Sequence, residues 1–343
     1  MFWYIVLFLL GFALLIKGGD WFVDGSCGVA ERFHIPELII GATIVAIGTT
    51  LPETLVSSLA AVQGHGEMAY GNALGSIICN TALIAAITIT FKPANVDKKT
   101  FLLPVCFFMV ATSIYLFSAY FLGRFPRFIG IILLVLFVTY IITQILLMKK
   151  KPNQMEFENL KNEESKIDET KEEAEGKSEE SKNNGKKLLI KNIIFLVIGA
   201  IAIAGGAQLL VTYGSKIALK IGISEAVISI TMVAIGTSLP ELVTAITSLI
   251  KGHSSLSLGN IIGANLFNLV LVSGMSVTLN PFDLPAEKMI GSINASLIID
   301  IPVMLFVMTL LCLPSILKGK TYRFQGILLL IVYIAFMVLQ FVL

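Results

Sequence analysis

Residues 43–53 read TIVAIGTTLPE and residues 231–241 read TMVAIGTSLPE; nine of the eleven positions are identical. Each copy sets a glutamate, Glu53 or Glu241, directly after a proline inside a long apolar stretch. An ionisable side chain in a membrane span is expensive to bury and marks a functional site by default. Two of them, in two copies of one unit, point to a transport protein with a binding site between repeats.

The composition agrees. The chain has 343 residues, 56% hydrophobic and only 14% charged, with a mean hydropathy of +0.86. That is an all-α polytopic membrane protein whose surroundings are lipid, with nothing that suits nucleic acid. Apolar stretches long enough to span fall near 2–31, 36–63, 67–91, 99–121, 124–148, 188–217, 224–251, 254–278, 287–314 and 322–343. Between the fifth and sixth lies a polar segment. From Lys149 to Lys187 it holds ten lysines and eleven acidic residues, out of 25 basic and 23 acidic residues in the whole chain. It cannot bury enough apolar surface to fold and reads as a flexible solvated linker, a charged helix being the alternative. The chain thus divides into a first five-helix repeat (1–148), a charged linker (149–187) and a second five-helix repeat (188–343). The opening run from Phe2 to Ile16 has no basic residue ahead of it and continues into GGDWFVDG, so it reads as a first span, not a cleaved leader. The four cysteines, Cys27, Cys79, Cys106 and Cys312, are scattered through apolar segments at no metal-binding spacing.

An offset of 188 aligns Glu37 with Glu225, Gly48 with Gly236, Glu53 with Glu241, His65 with His253, Gly71 with Gly259 and Asn80 with Asn268. A weaker echo, KGGDWFV and AGGAQLL, opens the preceding span of each half. An odd number of spans per half forces the second half into the membrane upside down relative to the first. Thirteen basic residues flank the spans on the side of the linker and five on the other, Arg124, Arg127, Lys216, Lys220 and Lys288. The excess puts the linker in the cytoplasm and both termini outside a cell membrane.

Pro52 has no N–H to give the carbonyl of Gly48, and its ring pushes that turn open. Pro240 does the same to Gly236. A carbonyl freed at membrane depth needs a partner, and a cation is a good one. Thr49 and Glu53 share a helix face. Hydroxyl, carbonyl and carboxylate oxygens suit a hard cation such as calcium or sodium, not zinc or copper. In the next span Asn72, Ser76 and Asn80 form one polar stripe, matched by Asn260, Ala264 and Asn268. Gly71 and Gly75, like Gly259 and Gly263, are spaced to let helices approach closely and bring the stripe against the glutamate. Two carboxylates neutralise one divalent or two monovalent cations. Competition for one charge-matched site produces exchange, with either ion crossing but not both together.

Other readings bear on the same residues. A Pro-Glu pair in one span could be a kink with a structural glutamate, and Asn/Ser stripes also glue helices together. His65 and His253 read as loop-surface residues, with proton sensing as the second reading. Asp300 reads as a structural residue or a lining of the ion path, and Asp20 and Asp24 as lying near the membrane interface. An intramembrane enzyme is disfavoured, because no HExxH or GxSxG occurs and the three histidines lie near span ends. The linker carries no EF-hand pattern.

On these motifs, GTTLPE and GTSLPE each followed by a GN-x-x-G helix ending in asparagine, the chain resembles the cation/calcium antiporter superfamily, and within it the prokaryotic sodium/calcium exchangers. The resemblance covers both halves. It implies ten helices in two inverted halves of five, and spans 2, 3, 7 and 8 around the ions. It also implies spans 1 and 6 sliding across that core, and sodium influx driving calcium efflux. No cofactor is implied; Ca2+ and Na+ are the transported ions. By position, Glu53 and Glu241 would be the main ligands. Thr49, Thr50, Thr237 and Ser238 would add hydroxyl or carbonyl oxygens, and Ala46 and Ala234 backbone carbonyls. Ser76, Asn80 and Asn268 would complete the sites. Asn268 stands where some relatives have Asp, and Ala264 where Ser is common, which bears on sodium stoichiometry. Proton-coupled antiport of calcium or another cation is the alternative.

Overall fold

The computed structural model describes residues 1–150, 177–221, 236–285, 289–290 and 293–342, without the side chains of 149–150, 177–186, 293 and 341–342. Among the described residues nine helices are long and apolar enough to cross a membrane. They are α1 (Phe2–Arg32), α2 (Glu37–Val62), α3 (Gly66–Phe91), α4 (Lys98–Leu122), α5 (Arg127–Lys150), α6 (Lys177–Lys220), α8 (Ser254–Leu279), α9 (Ser296–Lys318) and α10 (Arg323–Val342). A shorter apolar helix, α7 (Leu239–Ile250), stands where the seventh span is expected, whose beginning at 224–235 lies outside the described residues.

Two boundaries differ from expectation. The ninth span starts at Ser296, not near 287. Short strands β3 (Met289–Ile290) and β4 (Ile293–Asn294) pair just before it, and Asn294 caps the helix by accepting from the Ser296 N–H at 2.9 Å. The end of the linker from Lys177 is helical and runs directly into the sixth span. Lysine and glutamate are good helix formers, and a span already nucleated extends at little cost. Residues 151–176 of the linker lie outside the described residues.

The two halves are related by matched contacts. Gly130 on α5 packs against Thr278 and the carbonyl of Gly274 on α8, while Gly326 on α10 packs against Thr90 and the carbonyl of Ala86 on α3. Thr278 and Gly274 are the 188-offset mates of Thr90 and Ala86, and the last helices align as RFIGIILL and RFQGILLL. So each half lays its last helix against the other half's third. The loops repeat the pattern. Asn95 bridges Lys320, and β1 (Arg124–Phe125) pairs with β2 (Phe282–Asp283), Arg124 opposite Asp283. Loop 3/4 therefore shares a membrane side with loop 9/10, and loop 4/5 with loop 8/9. Equivalent loops of the two halves lie on opposite sides, which is the inverted arrangement.

Packing separates into two apolar groups. One is built by α1 and α6, through residues such as Leu15, Phe22, Val23, Ile203 and Leu210, with Ile40, Val45 and Leu256 of α2 and α8 against them. These two helices run antiparallel: Gly11 meets Gly206, and Gly25 meets Asn192 and Leu196. The larger group joins α2–α5 to α7–α10. Here α8 crosses α2 at backbone contact. A Cβ at Gly263 would sit 2.7 Å from the Cα of Ala42, and one at Gly259 would overlap the carbonyl of Leu38. Around Gly71 and Gly75 no described residue lies within 4 Å of a Cβ built on either. The mates of Leu38 and Ala42, which are Ala226 and Ile230, lie outside the described residues.

Two measurements check this frame. In a chain freed of native cysteines, Asn95→Cys with Lys320→Cys should oxidise to a disulfide, since bridged strands hold paired residues within bonding reach; failure to cross-link would refute the loop pairing. Gly259→Ala should lower the thermal midpoint in detergent by overpacking, a cost of about 1–3 kcal/mol; an unchanged midpoint would refute the backbone contact of α8 with α2.

Candidate ion-binding centre

Helix α2 carries a π-turn, Gly41–Val45, before the segment Ala46–Val62 that holds Glu53. Such turns interrupt the regular bonding ladder and recur at functional sites. One affected carbonyl, that of Ala42, accepts from the Tyr140 hydroxyl of α5 at 2.8 Å. The helix then continues through Pro52 without a break. The second half behaves differently. Thr237 and Ser238 form a turn, α7 starts at Leu239, and Pro240 lies in its first turn. The expected opening of the chain around the proline is thus a helix break in the second half only. Proline suits a first turn, where its missing N–H costs nothing. Glu241 also falls in that first turn, where the free backbone N–H groups favour negative charge.

The opposite wall is nearly symmetric. π-turns occupy Asn80–Ala85 in α3 and Asn268–Ser273 in α8, each beginning at the matched asparagine. No residue pattern marks these turns in advance, yet both copies have them.

Glu53, Glu241, Asn80, Asn268 and Thr50 are fully buried, and Thr49, Ser76 and Ser238 nearly so. The Ser76 hydroxyl donates to Glu53 Oε1 at 3.1 Å. Thr49 Oγ1 lies 3.2 Å from Asn260 Oδ1 and 3.3 Å from the carbonyl of Ala46. The Glu241 carboxyl is close enough to interact with both Glu53 and Thr49. The two repeats therefore meet at one centre. Asn268 Nδ2 donates to the carbonyl of Ala264 at 3.1 Å, which leaves its Oδ1 unused. Thr237 is half-buried in the turn before α7. Ala234 lies outside the described residues.

Many of these polar atoms have no hydrogen-bond partner among the described residues. They are Glu53 Oε2, both oxygens of Glu241, both polar atoms of Asn80, Asn268 Oδ1, Thr50 Oγ1 and Ser238 Oγ. Each such group costs about 1–3 kcal/mol, more when charged. Nearly all are oxygens, contributed by α2, α3, α7 with its preceding turn, and α8. That donor set fits a hard cation with an oxygen shell.

Other polar residues go elsewhere. Asn72 turns away to donate to Ser57 at 2.8 Å. Asp300 accepts from Gln340 at 2.6 Å, which ties α9 to α10 and favours its structural reading. Asn265 donates to Thr81 at 2.7 Å and contacts Met308 Sδ at 3.2 Å. This link, one residue from Asn80, was not evident from the repeat, because Ile77 occupies the matching place. His65 is an exposed residue heading α3, as expected of a loop. His253 is not a free surface residue: its Nδ1 lies 2.6 Å from Glu37 Oε1.

Comparison with known proteins matches this geometry. The family pattern described as "Sodium/calcium exchanger protein" matches residues 3–146 and 191–342. The chain is 34% identical to an uncharacterised membrane protein of Methanocaldococcus jannaschii, over 95% of this chain and 94% of that one. It is 29% identical to the sodium/calcium exchanger MaX1 of Methanosarcina acetivorans, over 98% of each. The solved structure of the sodium-calcium exchanger NCX_Mj soaked with 2.5 mM Na+ and 0.1 mM Ca2+ superposes with a TM-score of 0.76, at 30% identity, over 97% of this chain and 96% of that one. Matched across both halves, with the linker between them left out, this multi-pass membrane protein belongs to the sodium/calcium exchanger family.

Proposed function

We propose that the protein moves Ca2+ out of the cell against Na+ entering, by alternating access to the centre around Glu53 and Glu241. The observation that carries this is the shell of buried oxygens without partners among the described residues, drawn from both repeats around two carboxyls. The carboxylates supply two negative charges, enough for one Ca2+ or two Na+. Thr49, Thr50, Ser76, Asn80, Thr237, Ser238 and Asn268 would add neutral oxygens, with the carbonyls of Ala46 and Ala234. A loaded centre is cheap to carry past lipid, while an empty one leaves two charges facing each other in a poor solvent. That difference couples the ions, because return without cargo is disfavoured. The separate layer of α1 and α6 supports a sliding element beside a fixed core. The excess of basic residues supports a cytoplasmic linker and external termini.

In vesicles holding the purified protein, an outward Na+ gradient should drive uptake of radioactive calcium. Glu53→Gln and Glu241→Gln should each reduce the rate by about 100-fold or more, since removing one partner of a buried charge set costs about 3–5 kcal/mol. Retention of half the rate by either variant would overturn the assignment, and equal uptake driven by a pH gradient without sodium would overturn the coupling.

Ala264 takes the place matched by Ser76 in the first half and is fully buried. Restoring the hydroxyl in Ala264→Ser should steepen the dependence of calcium release on sodium, with the calcium affinity little changed. An unchanged sodium curve would show that this position is not at a sodium site.

A further inference from the structure

On the linker side, away from the ion centre, three chemically different side chains meet. Cys27 of α1, Glu37 at the start of α2 and His253 at the start of α8 bring a thiol, a carboxylate oxygen and a ring nitrogen within 4.8 Å of one another. Cys27 is a free, buried cysteine. Glu37 and His253 are half-buried. Glu37 lies sixteen residues before Glu53 on the same helix, which separates the two places by about 24 Å.

The backbone is shaped to bring them together. After α1 the chain turns at His34, whose φ of 53° is in the left-handed region. Ile35 donates back to the carbonyl of Ala30 at 2.9 Å, which folds Glu37 over the end of α1. A cavity of about 490 Å³ opens beside the cluster, with Cys27, Glu31, His34 and Glu37 in its lining. It offers an entry path and two more ligating side chains.

We propose that Cys27, Glu37 and His253 bind a borderline divalent metal ion of the Zn2+ class, and that the bound ion pins α1 to α2 and α8 and slows exchange. The donor chemistry separates this ion from the transported ones. Thiolate and imidazole suit Zn2+, whereas Ca2+ and Na+ take oxygen shells. Zn2+ ligands sit about 3.5 Å apart around the metal, from bond lengths of about 2.0–2.3 Å. The cluster needs only a small adjustment to reach that spacing: the thiol moves in, and the 2.6 Å contact between His253 and Glu37 opens. Binding releases the thiol proton, and Glu31, His34 or water fills the fourth position.

The position makes such an ion a staple. Cys27 belongs to the α1–α6 apolar layer, while Glu37 and His253 head two helices of the ion centre. Lys251 already holds the same seam, at 2.7 Å from Asp24 Oδ1 and 3.3 Å from Asp20 Oδ1. The repeat does not duplicate the device. The KGGDWFV and AGGAQLL echo sets Gly214 opposite Cys27 and Ala207 opposite Asp20. Regulation would thus act from one side of the membrane only.

The binding half of this proposal is independent of the transport reading; the slowing of exchange rests on it. Co2+ added to the purified full chain should give a thiolate-to-metal absorption band at about one ion per chain. Cys27→Ser should abolish the band. His253→Gln should weaken Co2+ and Zn2+ binding at least about tenfold, and Glu53→Gln should leave the band intact. In vesicles, micromolar Zn2+ on the linker side should slow sodium-driven calcium flux in the wild type and act at least about fivefold less on Cys27→Ser. A missing band, or one unchanged in Cys27→Ser, overturns the site. A band with no effect of Zn2+ on flux, or equal inhibition of Cys27→Ser, overturns the staple. Absence of sodium-driven flux in the wild type would defeat the transport reading, while the Co2+ spectrum still decides the site.

Discussion

Two carboxyl groups are buried at the crossing of four helices; among the described residues Ser76 donates to Glu53, and three of the four carboxyl oxygens have no hydrogen-bond partner. Everything around them answers that constraint. Burying an unpaired charge costs several kcal/mol even after relaxation, so the fold tolerates the pair only if something positive joins it. The shell of hydroxyl and amide oxygens shows what kind of partner is expected. Helices packed at glycine contact distance hold that shell in place: α8 meets α2 through Gly259 and Gly263 with no side chain between them.

Duplication gives the centre its shape. One unit, inserted twice in opposite senses, delivers a glutamate from each half to the same point and a π-turn beginning at the same asparagine on each wall. The exchange of last helices, α5 onto α8 and α10 onto α3, interlocks the halves. An inverted pair is suited to alternating access, because whatever one half does towards one side the other half can do towards the other. The departures from symmetry then carry the individuality of this chain. Ala264 stands in the place matched by Ser76, α7 breaks where α2 runs on, and Gly214 stands in the place matched by Cys27.

Much of this was legible in the residues, for identifiable reasons. A span needs about 20 apolar residues whatever its neighbours do, so the element order followed from hydropathy. The doubled GT-x-LPE motif located the centre because both copies carry the same costly group. What escaped depends on contacts between distant positions. Nothing near Cys27 hints at His253, more than two hundred residues later. Asn265 hid because the first half has Ile77 in its place. Hydropathy puts the start of the ninth span near 287 because Met289, Ile290 and Ile293 are apolar, yet these residues lie in paired strands ahead of the helix. The 188 offset does not reveal the kinship of α5 and α10, because extra residues in the second half shift their alignment.

The central claim is that one buried two-carboxylate centre holds calcium or sodium, never both. Calcium binding to the purified protein, measured at stepped sodium concentrations, tests it most directly. The account predicts about one Ca2+ per chain at this centre, displaced completely as sodium rises, with a dependence on sodium steeper than first order. A fraction of Ca2+ that stays bound at saturating sodium would contradict it.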